Sequence, residues 1–174
     1  MSYTMKTFKE FCSQLDESSL SRIKSKSDKG GMAIISGSRA DKSAKENKAR
    51  AKQLDRDIKG KGLPGATKVS GRWDEKDDKT GKTIKVKERS HVVTSGKKGK
   101  RKFKKAVDTL AKKYGQDAKL TQIKKTATVS ATRKGGLGKS AGKNVKRFTA
   151  GTMKPGRSSS DGDTKIKNKT FTYG

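Results

Sequence analysis

Few stretches of this sequence combine residue types and spacings that do chemistry. Asp74, Glu75, Asp77 and Asp78 crowd one short segment, and Glu88 follows on what reads as the next strand. Paired carboxylates can hold a metal or exchange protons with a substrate. Each of these stands near Arg72, Lys76, Lys79 or Arg89, so the pattern reads as a salt-bridged turn and not as a catalytic pair. His91 reads as a structural or surface residue; Trp73 reads as packing at a sheet edge. With one histidine and one cysteine (Cys12), the chain can build neither a Cys/His zinc site nor an internal disulfide. Gly135–Ser140 ends like a phosphate-binding loop, but that motif needs Gly where Arg133 stands, and the segment reads as a flexible basic loop.

The densest charge is Lys97, Lys98, Lys100, Arg101, Lys102, Lys104 and Lys105, seven basic residues in nine. They open a helix, whose N-terminal amides and dipole already attract anions. Positive side chains there oppose the dipole, which points to an anion from outside. The whole chain repeats this bias. It has 174 residues, 46 Lys+Arg against 17 Asp+Glu, and a formal charge of +29. Lysine outnumbers arginine 36 to 10, and aromatics make up 5%, a balance that suits contact with a phosphate backbone more than base reading or stacking.

Hydrophobic residues at 28% leave room for one modest domain with basic, poorly packed ends. No apolar run is long enough for a membrane-spanning helix, and no secretory leader is legible. A reducing interior, or the inside of a particle, is the expected setting.

The elements that must position these residues follow from periodicity. Phe8, Phe11, Cys12 and Leu15 lie at helical spacing. Residues 18–31, rich in Ser and Lys, read as a flexible basic linker. Met32–Ser36 reads as a strand. Ser43 and Glu46 form a capping-box pattern ahead of an Ala51–Leu54–Ile58 stripe, with Gly60 and Gly62 as the stop. Strands over 66–73 and 83–94 flank the acidic turn. A helix over 100–114 carries Phe103, Ala106, Val107, Leu110 and Tyr114 inward, with Gly115 at its end. Strands over 117–124 and 126–132 complete a β-α-β-β-α-β-β order: an α+β fold, two helices on a mostly antiparallel sheet, occupying 32–132. Residues 133–174 read as a basic Gly/Ser/Thr/Lys-rich tail, with the alternation near 145–153 and 165–173 able to supply edge strands.

Met5, Lys6, Thr7, Phe8, Glu10 and Phe11, followed by Leu15, Asp16 and Glu17, resemble the capsid-targeting propeptide of internal head proteins of T-even-type tailed phages. The resemblance implies targeting by residues 1–17 and cleavage between Glu17 and Ser18 by a prohead protease. Four extra residues before Met5 and a longer spacing to the cleavage triplet depart from that pattern. Residues 32–132 are similar to a family of small domains without assigned activity. The similarity rests on Asn47 and Arg50, Gly71 and Glu75, Glu88 and Ser90, and Tyr114-Gly115-Gln116. It implies a polar pocket if Asn47, Arg50, Glu75, Glu88 and Gln116 converge, and capping or cross-linking roles if they do not.

The resulting expectation is a non-enzymatic virion protein without metal or cofactor. It would lie in the phage head, bind packaged DNA through Lys97–Lys105, and later reach the host cytoplasm. Its partners would be that DNA, the prohead core and protease, and a host protein after injection. The alternatives are a small injected enzyme or inhibitor using the polar positions, or a nucleic-acid-binding protein that is never packaged.

Overall fold

The computed structural model describes residues 21–39, 41–76, 83–132, 146–156, 163–166 and 169–174, with side chains described except at 72–76, 83–87, 163 and 169. The propeptide-like residues Met5–Ser18, the acidic residues Asp77 and Asp78, and the Gly135–Ser140 loop lie outside them.

Helix α1 (residues 21–29) precedes strand β1 (Gly31–Ser36). Helix α2 (Ala44–Gly60) starts at the Ser43 capping box, in which the Ser43 side chain accepts from the Glu46 N–H and the Glu46 carboxylate accepts from the Ser43 N–H. Two amides that the helix cannot satisfy are thereby paired. Leu54 and Ile58, one turn apart, are buried. After Lys61 the chain turns at Gly62, whose φ of +64° suits glycine. Strands β2 (Thr67–Lys76) and β3 (Thr83–Thr94) form a long antiparallel pair, so Asp74 and Glu75 belong to a strand and not to the connecting turn. Helix α3 (Lys100–Lys113) buries Phe103, Val107, Leu110 and Ala111. Strands β4 (Ala118–Ile123), β5 (Thr126–Ala131), β6 (Arg147–Gly151), β7 (Met153–Pro155), β8 (Asp163–Ile166) and β9 (Lys169–Tyr173) follow.

The fold is α+β, with helices on one antiparallel sheet whose order is β6-β5-β4-β1-β3-β2-β8-β9-β7. β6 and β7, the two ends of that order, are separated in the chain only by Thr152. Residues 147–151 pair with β5, and 153–155 pair with β9, so the series of strands forms a closed circuit. The changeover falls at Gly151 (φ +87°), where the Gly174 backbone passes within 3.0 Å of any added Cβ. Closure of this kind removes free strand edges.

All six residues of β1 are buried because the strand is covered on both faces. Ala33 and Ile35 join Leu54, Ile58, Val93, Phe103, Val107 and Leu110 in a core between sheet and helices. Met32 and Ile34 join Ile23, Val69, Val92, Leu120, Met153, Ile166 and Phe171 in a second core on the inner face. Alternating side-chain direction along the strand assigns one set to each face.

Two expectations change. Residues 21–29, read as part of a linker, form a helix because Ile23 and Ser27 sit one turn apart and both are buried. Lys24 and Asp28 add an i,i+4 ion pair at 2.9 Å. The segment read as a tail supplies β6 to β9 and places Met153, Ile166 and Phe171 in the inner core. Its alternation is genuine, but its high Lys and Gly content concealed that Met153, Thr164, Ile166 and Phe171 are buried.

Candidate functional site

The register of the central strands defines one end of the sheet. β1 ends at Ser36, opposite Ser90 of β3. Two residues further along β3, Glu88 lies opposite Gly71 of β2, and Gly71 in turn pairs with Thr164 of β8. Because Val92 packs in the inner core, the period of two puts Ser90 and Glu88 on the same inner face. Ser90 and Thr164 are buried, while Glu88 is half-buried and stands across from a residue without a side chain. The Ser36 hydroxyl donates to the Arg89 carbonyl (2.8 Å) and accepts from the Ser38 N–H (3.0 Å), fixing the chain as it leaves the sheet.

Around the same end, polar side chains brace three loops. Asn47 accepts from the Arg39 N–H (2.9 Å) and donates to the Arg39 and Lys42 carbonyls (2.9 and 3.1 Å). Arg50 donates to the carbonyls of Gly37 and Tyr114, each at 2.7 Å, and lies 5.4 Å from the Tyr114 ring centre. Arg39 donates to the Gly115 carbonyl at 2.8 Å. The Thr132 hydroxyl donates to the Gln116 carbonyl. Gln116 Oε1 is buried and has no hydrogen-bond partner, so it is a ready acceptor for an N–H brought from outside.

Four of the five polar positions singled out in the sequence therefore gather at this end, in two different roles. Asn47 and Arg50 are cross-links from helix α2 to the loops after β1 and α3. Gln116 keeps a buried acceptor oxygen without a partner, and Glu88 places a carboxylate on the inner face. The Glu75 backbone does not join them, since it pairs with Ile84, four residues along β2 from Gly71 and about 13 Å away at ~3.3 Å per residue. Glu75 and Glu88 are thus not opposite one another. Among the described residues no three His, Cys, Asp or Glu side chains cluster in a way that suits a metal.

Sequence reasoning overlooked Phe148, whose side chain is 45% exposed although it pairs with Val129, a residue packed on the inner core. The alternation in β6 was its signal. Lys97, Lys100, Arg101, Lys102, Lys104 and Lys105 are exposed and Lys98 is half-buried. Of these, Lys100, Arg101, Lys102, Lys104 and Lys105 flank the buried Phe103 on α3, and Lys97 and Lys98 precede the helix.

Two other ionisable groups are structural. The Tyr114 hydroxyl donates to Asp57 Oδ2 (2.8 Å), which also meets Lys113 Nζ at 2.6 Å. The Lys113 bond holds Asp57 below the usual carboxylate range, while burial and Asp57 push the Tyr114 phenol well above its ordinary value. Tyr114 is therefore a donor and not a base. His91 is 1% exposed, with Nε2 3.3 Å from Asp55 Oδ1 but poorly aligned for a hydrogen bond. Burial lowers its pKa; Asp55 partly offsets this, and Lys68, itself 3.2 Å from Asp55, adds to it.

Since the folded pKa lies below the unfolded value near 6.5, the unfolded chain binds the proton more readily, and stability falls as pH drops below about 6.5. Thermal melts between pH 7.5 and about 5.5, a window above most carboxylate titration, are expected to slope downward for the native chain. They are expected to be flatter for His91→Gln. Equal slopes would show that His91 does not titrate on unfolding.

Residues 33–173 match the sequence pattern of the family described as the S-Adenosylmethionine lyase family. The chain belongs to the S-Adenosylmethionine lyase family. No curated protein matches it. The match begins within β1 and ends in β9, so it takes in every strand of the closed sheet, including those from the supposed tail. Membership in a lyase family overturns three expectations: the kinship with internal head proteins of phages, the non-enzymatic virion role with DNA binding as its function, and the description of the central domain as belonging to a family without activity. The physical reason is that net charge and a short leader-like segment constrain which partners a chain attracts, not what its folded part does.

Proposed function

We infer that the protein cleaves S-adenosylmethionine as a lyase, and that Glu88 and Gln116 at the polar end of the sheet engage the substrate. The observation that carries this reading is the match over 33–173, which spans the whole sheet supporting those residues. The chemistry is consistent with what the site offers. A lyase breaks its bond without water and without redox change. When a carbon–sulfur bond of the sulfonium breaks, the electron pair goes to sulfur, which leaves as a neutral thioether. The carbon must then be satisfied from within the same molecule, by forming a double bond or a ring.

The protein's tasks are therefore to hold a cationic substrate, orient it and keep water out. A chain with a formal charge of +29 repels a sulfonium overall, so a local carboxylate is needed to attract it. Glu88 supplies that charge on the inner face. Gln116 Oε1 supplies an acceptor for an amino group or an adenine N–H.

The test is incubation of the purified chain with S-adenosylmethionine in heavy-oxygen water, followed by mass spectrometry. Loss of the sulfonium is expected, with a nucleoside thioether and an amino-acid fragment that carry no label. An unchanged substrate, or a labelled fragment, would overturn the lyase reading.

A further inference from the structure

At the opposite end of the sheet from Glu88, helix α1, the β4–β5 turn and the β6–β7 changeover border an open cleft of about 210 Å³ lined by Lys24, Asp28, Gln122, Lys125, Thr152 and Met153. That is room for about seven waters at ~30 Å³ each, and it is smaller than the roughly 300–1,000 Å³ of pockets that enclose drug-sized molecules.

Gln122 is 1% exposed, and its amide nitrogen is committed to Ser27 Oγ (3.0 Å) and the Lys124 carbonyl (2.9 Å). Turning the amide over would set its oxygen against the Lys124 carbonyl, which can only accept, so Oε1 stays where it is, buried and without a donor. An unsatisfied buried acceptor is unfavourable and asks for an N–H. Asp28 lies beside it, 3.5 Å from Gln122 Nε2 and paired with Lys24 at 2.9 Å. Lys125, exposed in the turn, adds a second cation at the rim.

A simple anion here would meet the oxygens of Asp28 and Gln122, and a simple cation would meet two lysines. A small molecule carrying an ammonium and a carboxylate a few bonds apart satisfies both halves. Met153, buried against the inner core, gives the remaining wall an apolar, polarisable surface.

We propose that this cleft is a binding site for a free α-amino acid. The ammonium is held by Gln122 Oε1 and Asp28, the carboxylate by Lys125 and Lys24, and an unbranched aliphatic or thioether side chain lies against Met153. The proposal needs no turnover, so it stands or falls separately from the lyase reading.

The experiment is calorimetric titration of the full chain with L-methionine, N-acetyl-L-methionine and L-methionine methyl ester at millimolar concentrations. Binding of L-methionine alone is expected, because each derivative lacks one of the two charges. Lys125→Ala, a change in an exposed turn, is expected to weaken binding about tenfold. Glu88→Gln, at the far end of the sheet, is expected to bind as the native chain does. Absence of L-methionine binding, equal binding of the derivatives, unaltered affinity in Lys125→Ala, or loss of binding in Glu88→Gln would each overturn the assignment.

Discussion

Glu88→Gln is expected to lower the rate of S-adenosylmethionine cleavage by about two to three orders of magnitude, the range seen when one preorganised electrostatic partner is removed from a reacting centre. The substitution keeps the side chain's length and one acceptor oxygen, exchanges the other oxygen for an amide N–H2 donor, and removes the negative charge. A loss of this size therefore reports on charge. Binding of the sulfonium should weaken along with turnover, because the attraction is present in the ground state as well. Far-UV circular dichroism and the thermal midpoint serve as the control for folding. If the variant turns over at the native rate, Glu88 has no part in the site. Gln116→Leu, which removes the unpartnered acceptor, serves as an independent probe of the same end.

Phe171→Ala is expected to cost about 3–5 kcal/mol of folding stability, the usual penalty for deleting a fully buried aromatic ring. Phe171 is 0% exposed and sits in the inner core with Met32, Ile34 and Leu120, although nearly 140 residues separate it from Met32 along the chain. It also meets Tyr173 edge-on, with ring centres 6.0 Å apart. For a domain whose total stability is of the order of 5–15 kcal/mol, such a loss would shift a urea midpoint strongly. A change below about 1 kcal/mol, as for a surface substitution, would show that the C-terminal strands are dispensable to the core. The outcome separates an integral β9 from a loosely attached tail.

The part of this fold set by local rules was legible in the residues themselves. Ser43 and Glu46 announced the start of α2, and the spacing of Phe103, Val107 and Leu110 announced the buried face of α3. The alternation in Thr67–Thr94 announced two strands. Each of these signals acts over one to four residues, which is the range of helix hydrogen bonds and strand pleating.

What the sequence left open was decided at longer range. Ile23 and Ser27 are too few to mark a helix against a Ser- and Lys-rich background, and only packing on the sheet buries them. Residues 147–155 alternate weakly, and nothing local says that their two halves pair with β5 and β9 to close the circuit. All five polar positions were named from the sequence, but what each of them touches was not legible there. Asn47 and Arg50 became braces because backbone carbonyls lie within their reach, whereas Gln116 keeps a buried acceptor oxygen without a partner. Charge, counted residue by residue, characterised the surface and drew attention to a polyanionic partner. The proposed site lies at the end of a closed sheet, where side chains meet only after strands distant in sequence have paired, because pairing register is a property of two strands together and of neither alone.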